Sequence, residues 1–273
     1  MSRLLPELVT LDPGPHKYYD IYGSEYTSIS SIKKMLVEPF DAERTSYFSA
    51  RKQLRIEYKA AGRIGEPAES EIQLRAKVLK IQWAATNKDG IDSGNVVHDA
   101  AEQYLKYKLL PADEKLSGAV KKVCDTVILP GVQQLYSEEV LYSKKYYMAG
   151  TADVLAQVKG GQFPVINIDD FKTNKSKGIQ YYSEYGNWML GPVSHLEQCS
   201  YNDYALQLSL YGFMLEEHGY RPGRMRLIYM HPDRPDEYEV IPIPYMRETV
   251  LNILSYLEAE GKLHLRQPQI EWA

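Results

Sequence analysis

The sequence predicts an α/β protein: a central mixed β-sheet flanked by helices, with an N-terminal helical lobe closing one side. Three observations predict it. Residues 150–172, GTADVLAQVKGGQFPVINIDDFK, read as two strands joined at Gly160-Gly161. Residues 68–86 and 203–218 carry apolar side chains suited to one buried helix face. Residues 224–243 read as a second hairpin, whose Pro242, with Pro244 beyond it, suits a sheet edge better than a centre. We expect one continuous domain, with an arm and helical lobe over residues 1–90 and a core over 91–273.

The elements follow in order. Pro6, Pro13, Gly14, Pro15 and Gly23 make the first 25 residues an extended or turning arm, with a short strand near Tyr18–Tyr22. A first helix covers Ser28–Met35, capped by Thr27 or Ser28, and a longer one Asp41–Arg63. Residues 68–86 form another, with Ile72, Val78, Leu79 and Trp83 on or near its buried side. Asn87–Gly94 is a polar turn, and the next helix opens at Asp92 or Ser93. Val97, Ala101 and Leu105 form its apolar stripe. A helix over Ser117–Tyr136 precedes the first core strand, Glu138–Tyr147. The central hairpin covers 146–158 and 162–173. After a long connection, 174–200, Asn202 or Asp203 caps a helix that ends before Gly219. The last helix, Tyr245–Glu260, buries Val250, Ile253, Leu254 and Leu257.

Composition bounds the function. The chain has 273 residues, 44% hydrophobic and 25% charged, which is ordinary for a globular protein. It has no apolar run of bilayer length and no signal-peptide pattern. The two cysteines, Cys124 and Cys199, cannot build a disulfide framework or hold a four-cysteine iron–sulfur cluster, so a reducing cytoplasm is expected. The net charge of −4 disfavours a bulk electrostatic grip on nucleic acid, leaving room for a local basic channel.

The chemistry lies in the central hairpin. Alternation puts Asp170 and Lys172 on one face of the second strand and Asp169 and Phe171 on the other. Buried charges are costly unless paired or bound to metal. Oxygen ligands from Asp153 and Asp170 suit a hard divalent cation, Mg²⁺ or Mn²⁺, with Lys172 near an attacking water. Glu139 is within reach from the preceding strand but reads as a surface charge at a strand start. His98 and Glu102 share a helix face at i and i+4. Taken alone, His98 reads as a histidine satisfied by a nearby carboxylate.

Asp153, then Asp170-x-Lys172 after a hairpin, resembles the PD-(D/E)XK nuclease superfamily in its RecB-like and phage-exonuclease branch. Gln207-x-x-x-Tyr211 matches that branch's helix motif, and Gly94-x-x-x-His98 its upstream one. The resemblance is close over about residues 94–215 and loose over 26–262. It implies a restriction-endonuclease-like core and Mg²⁺- or Mn²⁺-dependent hydrolysis of DNA from a free end, leaving a 5′-phosphate. It implies Asp153, Asp170, the Phe171 carbonyl and His98 as metal ligands. Lys172 would stabilise the nucleophile and transition state, and Gln207 and Tyr211 would position the phosphate. The resemblance also suggests a phage source, hence a host cytoplasm. A resolvase- or restriction-type endonuclease, a catalytically inactive binding module and an RNA nuclease stay open.

Two segments suit DNA, as a single strand or a duplex end. The helix at 41–63 carries Arg44, Arg51, Lys52, Arg55 and Lys59, a wall for phosphates or simply a solvated face. The connection at 174–200 interleaves Lys175 and Lys177 with Tyr181, Tyr182, Tyr185 and Trp188, which suits salt to phosphate and ring to base, or a loop pinned by its own aromatics.

Overall fold

The structure, a computed structural model, describes residues 3–160, 162–174, 177–231 and 233–263. Its elements are β1 (Val9–Asp12), β2 (Lys17–Asp20), β3 (Glu25–Ser28), α1 (Ile29–Lys34), α2 (Ala42–Ala60), α3 (Glu69–Tyr107) and α4 (Glu114–Val123), which runs into a π-helical turn at Cys124–Ile128. Then come β4 (Val132–Ser143), β5 (Met148–Val158), β6 (Val165–Lys172), a 3₁₀ turn at Gly191–Val193, α5 (Ser200–Glu217), β7 (Arg221–His231), β8 (Arg234–Ile243) and α6 (Arg247–Ala259). No helix among the described residues is long and apolar enough to cross a membrane.

The expected mixed sheet is present. Eight strands run in the order β1-β2-β3-β5-β6-β7-β8, and β4 pairs β5. The β3–β5 and β6–β7 pairs are parallel and the others antiparallel. β8 is an edge, as Pro242 required. Alternation along the strands gives the sheet two apolar faces. On one, Leu155, Ile166, Ile168 and Leu227 pack with Ile29 and Ile32 of α1, Leu206, Leu210 and Met214 of α5, and all four predicted residues of α6. On the other, Val154, Phe171 and Ile228 meet Val97, Ala101 and Leu105 of α3 and Val120 and Val123 of α4.

By compactness the chain divides into two units, residues 1–38 with 94–273, and residues 39–93. The first 38 residues therefore group with the core, because β1, β2 and β3 extend its sheet. In the smaller unit, Ala50 and Leu54 of α2 pack on Ile72, Ala76 and Leu79 of α3, with Trp83 partly buried; Val78 is exposed.

Three expectations are corrected. Residues 87–94 are not a turn, since α3 is one helix of 39 residues. Glycine costs only about 1 kcal/mol in a helix interior, too little to break one supported on both sides. Gly94 has a packing reason: a Cβ there would lie 3.2 Å from Thr173 Oγ1. Residues 132–136 are strand, because the Pro130-Gly131 pair ends the helix, with Gly131 at φ +76°. Ser28 caps α1 as expected, but α5 begins at Ser200, so Asn202 and Asp203 lie inside its first turn. Gly161, in the expected Gly160-Gly161 turn, lies outside the described residues, as does Pro232.

Candidate metal centre

The site lies where one edge of β5 changes partner. β4 pairs β5 along one edge, with a register shift between Val132 and Gln134. On the other edge, β6 pairs residues 154–158 and β3 pairs Met148 and Ala149. Residues 150–153 fall between these two ladders, and side chains bond backbone groups on both sides of the gap. The Asp153 carboxylate accepts the Phe171 N–H at 2.8 Å. The Tyr211 hydroxyl donates to the Thr151 carbonyl at 2.6 Å. Gly150 lets the helices close over this edge, since a Cβ there would lie 2.7 Å from Ile29 Cγ1 and 2.9 Å from Tyr211 Cε1.

Acidic side chains gather at the gap. His98 Nδ1 lies 3.1 Å from Asp153 Oδ2. His98, Glu138 and Asp153 each offer a ligand atom, all within 4.8 Å of one another. Loss of solvent, then the neighbouring Asp170, raises the Asp153 carboxyl above the ordinary carboxylate range; His98 and Lys172 oppose this. Glu138 is pushed up to about 8 by burial of its carboxyl and by the charges of Asp153 and Glu102, although the residue as a whole is exposed. Its backbone is in the left-handed region, at φ +54°.

Asp170 stands beside this group, 1% exposed, with the Lys172 ammonium against it. Its Oδ1 accepts from Gln207 Nε2 at 3.2 Å. Its Oδ2 is buried and is the oxygen that the Lys172 ammonium meets. Burial alone would lower the Lys172 pKa, but Asp170 and Asp153 outweigh it and hold the ammonium above the usual lysine value. Lys172 Nζ also lies 3.3 Å from the Phe171 carbonyl oxygen. The donor set of carboxylates and one imidazole at His98, Glu138 and Asp153 fits a hard divalent cation.

The structure therefore gathers His98, Asp153, Asp170, Phe171, Lys172, Gln207 and Tyr211 at one place. Two placements differ from the expected ones. Tyr211, 4% exposed, uses its proton on Thr151 and is not aimed at solvent. The group with metal-ligand spacing is His98, Glu138 and Asp153, whereas Asp170 is engaged by Lys172 and Gln207. Glu102 pairs Lys106, not His98. Glu139 is no surface charge: buried, it accepts the Leu4 and Leu5 N–H groups and ties down the N-terminal arm. Sequence reasoning missed Glu138. A register count would have found it, since Ser143 pairs Met148 and counting back brings 138 opposite 153.

The expected DNA contacts are less free than their charges suggest. Arg51 and Arg55 both pair Glu66, at 3.3 and 2.6 Å. Lys177 pairs Glu184. Lys175 lies outside the described residues. Tyr181, Tyr182, Tyr185 and Trp188 are exposed, with Tyr181 stacked obliquely on Tyr201 at 4.9 Å.

No family model matches the chain, and no curated protein does. Among solved structures, it is similar to a protein from Eubacterium rectale, provisionally named an exonuclease, with a TM-score of 0.41 and 10% identity over 90% of this chain and 85% of that one. It is also similar to a protein named SSO0001, with a TM-score of 0.26 and 15% identity over 61% of this chain and 71% of that one. At such scores neither likeness fixes a fold family.

Proposed function

We propose that the chain is a divalent-metal-dependent deoxyribonuclease with a restriction-endonuclease-like core, acting on DNA from a free end. The observation that carries the reading is the convergence of His98, Glu138 and Asp153, beside Asp170 and Lys172, on the gap in the β5 ladder. Acidic groups so crowded that their pKa values rise are unfavourable to the fold and favourable to a cation. Asp153, Glu138 and His98 would hold Mg²⁺ or Mn²⁺, with Asp170 and the Phe171 carbonyl beside them. When bound, the ion would supply Lewis-acid charge to the scissile phosphate.

The protein's own groups divide the remaining work. Lys172 keeps a positive charge where negative charge builds on the phosphate. Gln207 holds one oxygen of Asp170. Tyr211 holds Thr151, and so the edge of β5, in place. Exposed Tyr182, Tyr185 and Trp188 offer faces on which bases of any sequence can stack. Arg51, Arg55 and Lys177 can exchange carboxylate for phosphate cheaply, because exposed ion pairs are worth only about 0–1 kcal/mol. The requirement for an end rests on the motif resemblance.

The test offers linear and covalently closed circular DNA, single- and double-stranded, to the protein with Mg²⁺, Mn²⁺ or excess EDTA. Linear DNA should shorten progressively from an end, only with metal, while circles persist. Efficient cutting of circles would replace the exonuclease with an endonuclease. Cleavage in excess EDTA would refute the metal centre.

A further inference from the structure

Lys33 of α1 reaches the proposed centre from a part of the chain that none of the recognised motifs includes. Its side chain is 11% exposed. Its ammonium donates to Asp203 Oδ2 at 2.7 Å and to Gln207 Oε1 at 2.8 Å. Asp203, Gln207 and Tyr211 lie at i, i+4 and i+8, along one face of α5. The Gln207 amide thus has a lysine on one side and the Asp170 carboxylate, at 3.2 Å, on the other. Its Nε2 also lies 3.4 Å from the Tyr211 hydroxyl oxygen.

An ammonium can only donate and an ionised carboxylate can only accept. Rotating the Gln207 amide by 180° would turn its NH₂ to Lys33 and its oxygen to Asp170. Both contacts would then become repulsive. We infer that Lys33 is a positioning residue: held by Asp203, it fixes one orientation of the Gln207 amide, which commits the Gln207 NH₂ to Asp170 Oδ1 and so orients the Asp170 carboxylate, whose Oδ2 meets Lys172, beside the proposed centre. Its consequence for metal binding rests on the metal-centre reading above; the orientation itself does not.

Two measurements separate them. In the metal-free, ¹⁵N-labelled protein, the Gln207 side-chain NH₂ signals, identified by their loss in Gln207→Leu, should be a single pair protected from solvent exchange. Lys33→Met should abolish that protection. Lys33→Arg, still a pure donor, should preserve it. Lys33→Gln, which can donate or accept, should show both orientations, and it serves if Lys33→Met fails to fold. Titration with Mn²⁺ alone should show Lys33→Met binding about tenfold more weakly, the lower end of what partners of metal ligands contribute. In a Gln207→Leu background the same substitution should have no further effect. An unchanged Gln207 signal in Lys33→Met and Lys33→Gln would overturn the inference. So would an equal loss of Mn²⁺ affinity with and without Gln207. Absence of Mn²⁺ binding by the wild-type protein would instead sink the metal centre, and the amide signals would still decide the role of Lys33.

Discussion

Neighbouring acids on β6 should fail in different ways. Asp169 is fully buried and forked onto Arg226, with Oδ1 2.6 Å from Nε and Oδ2 2.9 Å from Nη2. Arg226 Nη2 also donates to the Val127 carbonyl at 3.1 Å, which ties the π-helical turn to the sheet. Asp169→Asn leaves a buried guanidinium without its counter-charge. Breaking such a pair costs about 3–5 kcal/mol. In a chain of this size that lowers the melting temperature by about 6–20 °C. Asp170→Asn removes a carboxylate that repels Asp153 and keeps an acceptor for Gln207, so relief and the loss of the Lys172 pair offset each other. Its melting temperature should stay within about 3 °C of wild type, a change of about 1 kcal/mol, while cleavage is lost. Asp169→Asn should cleave DNA at temperatures where it remains folded. Thermal melts in EDTA, paired with cleavage assays well below both transitions, distinguish the two. The reasoning fails if Asp169→Asn melts with the wild type, or if both variants lose stability equally.

Further outcomes follow from the same geometry. Glu138 is raised from 4.5 to about 8 in the fold, so between those values the folded state holds a proton that the unfolded state has released. Its contribution to stability is full below about pH 4.5 and lost as pH rises to 8, and melts in EDTA should show the wild type losing ground to Glu138→Gln across that window; a pH-independent difference would show that the carboxyl is not crowded. Gly150→Ala should cost about 1–3 kcal/mol in urea unfolding, because its methyl group meets Ile29 and Tyr211; an unchanged midpoint would contradict the close approach. Glu66→Gln releases Arg51 and Arg55 and should tighten DNA binding by up to about fivefold, the worth of an exposed ion pair; unchanged affinity at low salt would remove α2 from the DNA contact.

The parts of the fold legible in the sequence were those with a local physical signal. Strand alternation separated Asp170 from Asp169, and the structure puts one at the site and the other on Arg226. Helical spacing found all four buried residues of α6. What escaped depends on partners distant in sequence. Gly90 and Gly94 look like a break until α3 is seen to continue and Thr173 to lie against Gly94. Glu138 and Glu139 are indistinguishable as a pair of acids. A left-handed residue and a register opposite Asp153 send one to the site, and the N-terminal arm claims the other. Lys33 looks like any helix lysine until α5 brings Asp203 and Gln207 to it.

The gap in the β5 ladder explains how a sheet tolerates these acids, and it changes how they should be tested. A continuous ladder would give the Phe171 N–H a backbone acceptor; here the acceptor is Asp153 Oδ2. Asp153 is therefore a backbone cap as well as a proposed ligand, and removing it does two things at once. Asp153→Ala deletes the acceptor and leaves a buried N–H unsatisfied, which costs about 1–3 kcal/mol. Asp153→Asn keeps an oxygen for Phe171 and removes only the charge, along with its repulsion of Asp170. Both variants should lose Mn²⁺ binding. The alanine variant should be less stable to urea than the asparagine variant by about 1–3 kcal/mol, the cost of the unsatisfied N–H, and hydrogen exchange at the Phe171 amide should accelerate only in the alanine variant. Equal stabilities with equal protection at Phe171 would mean that β5 and β6 can close their ladder without the carboxylate. The acids would then be held in place by something other than the gap.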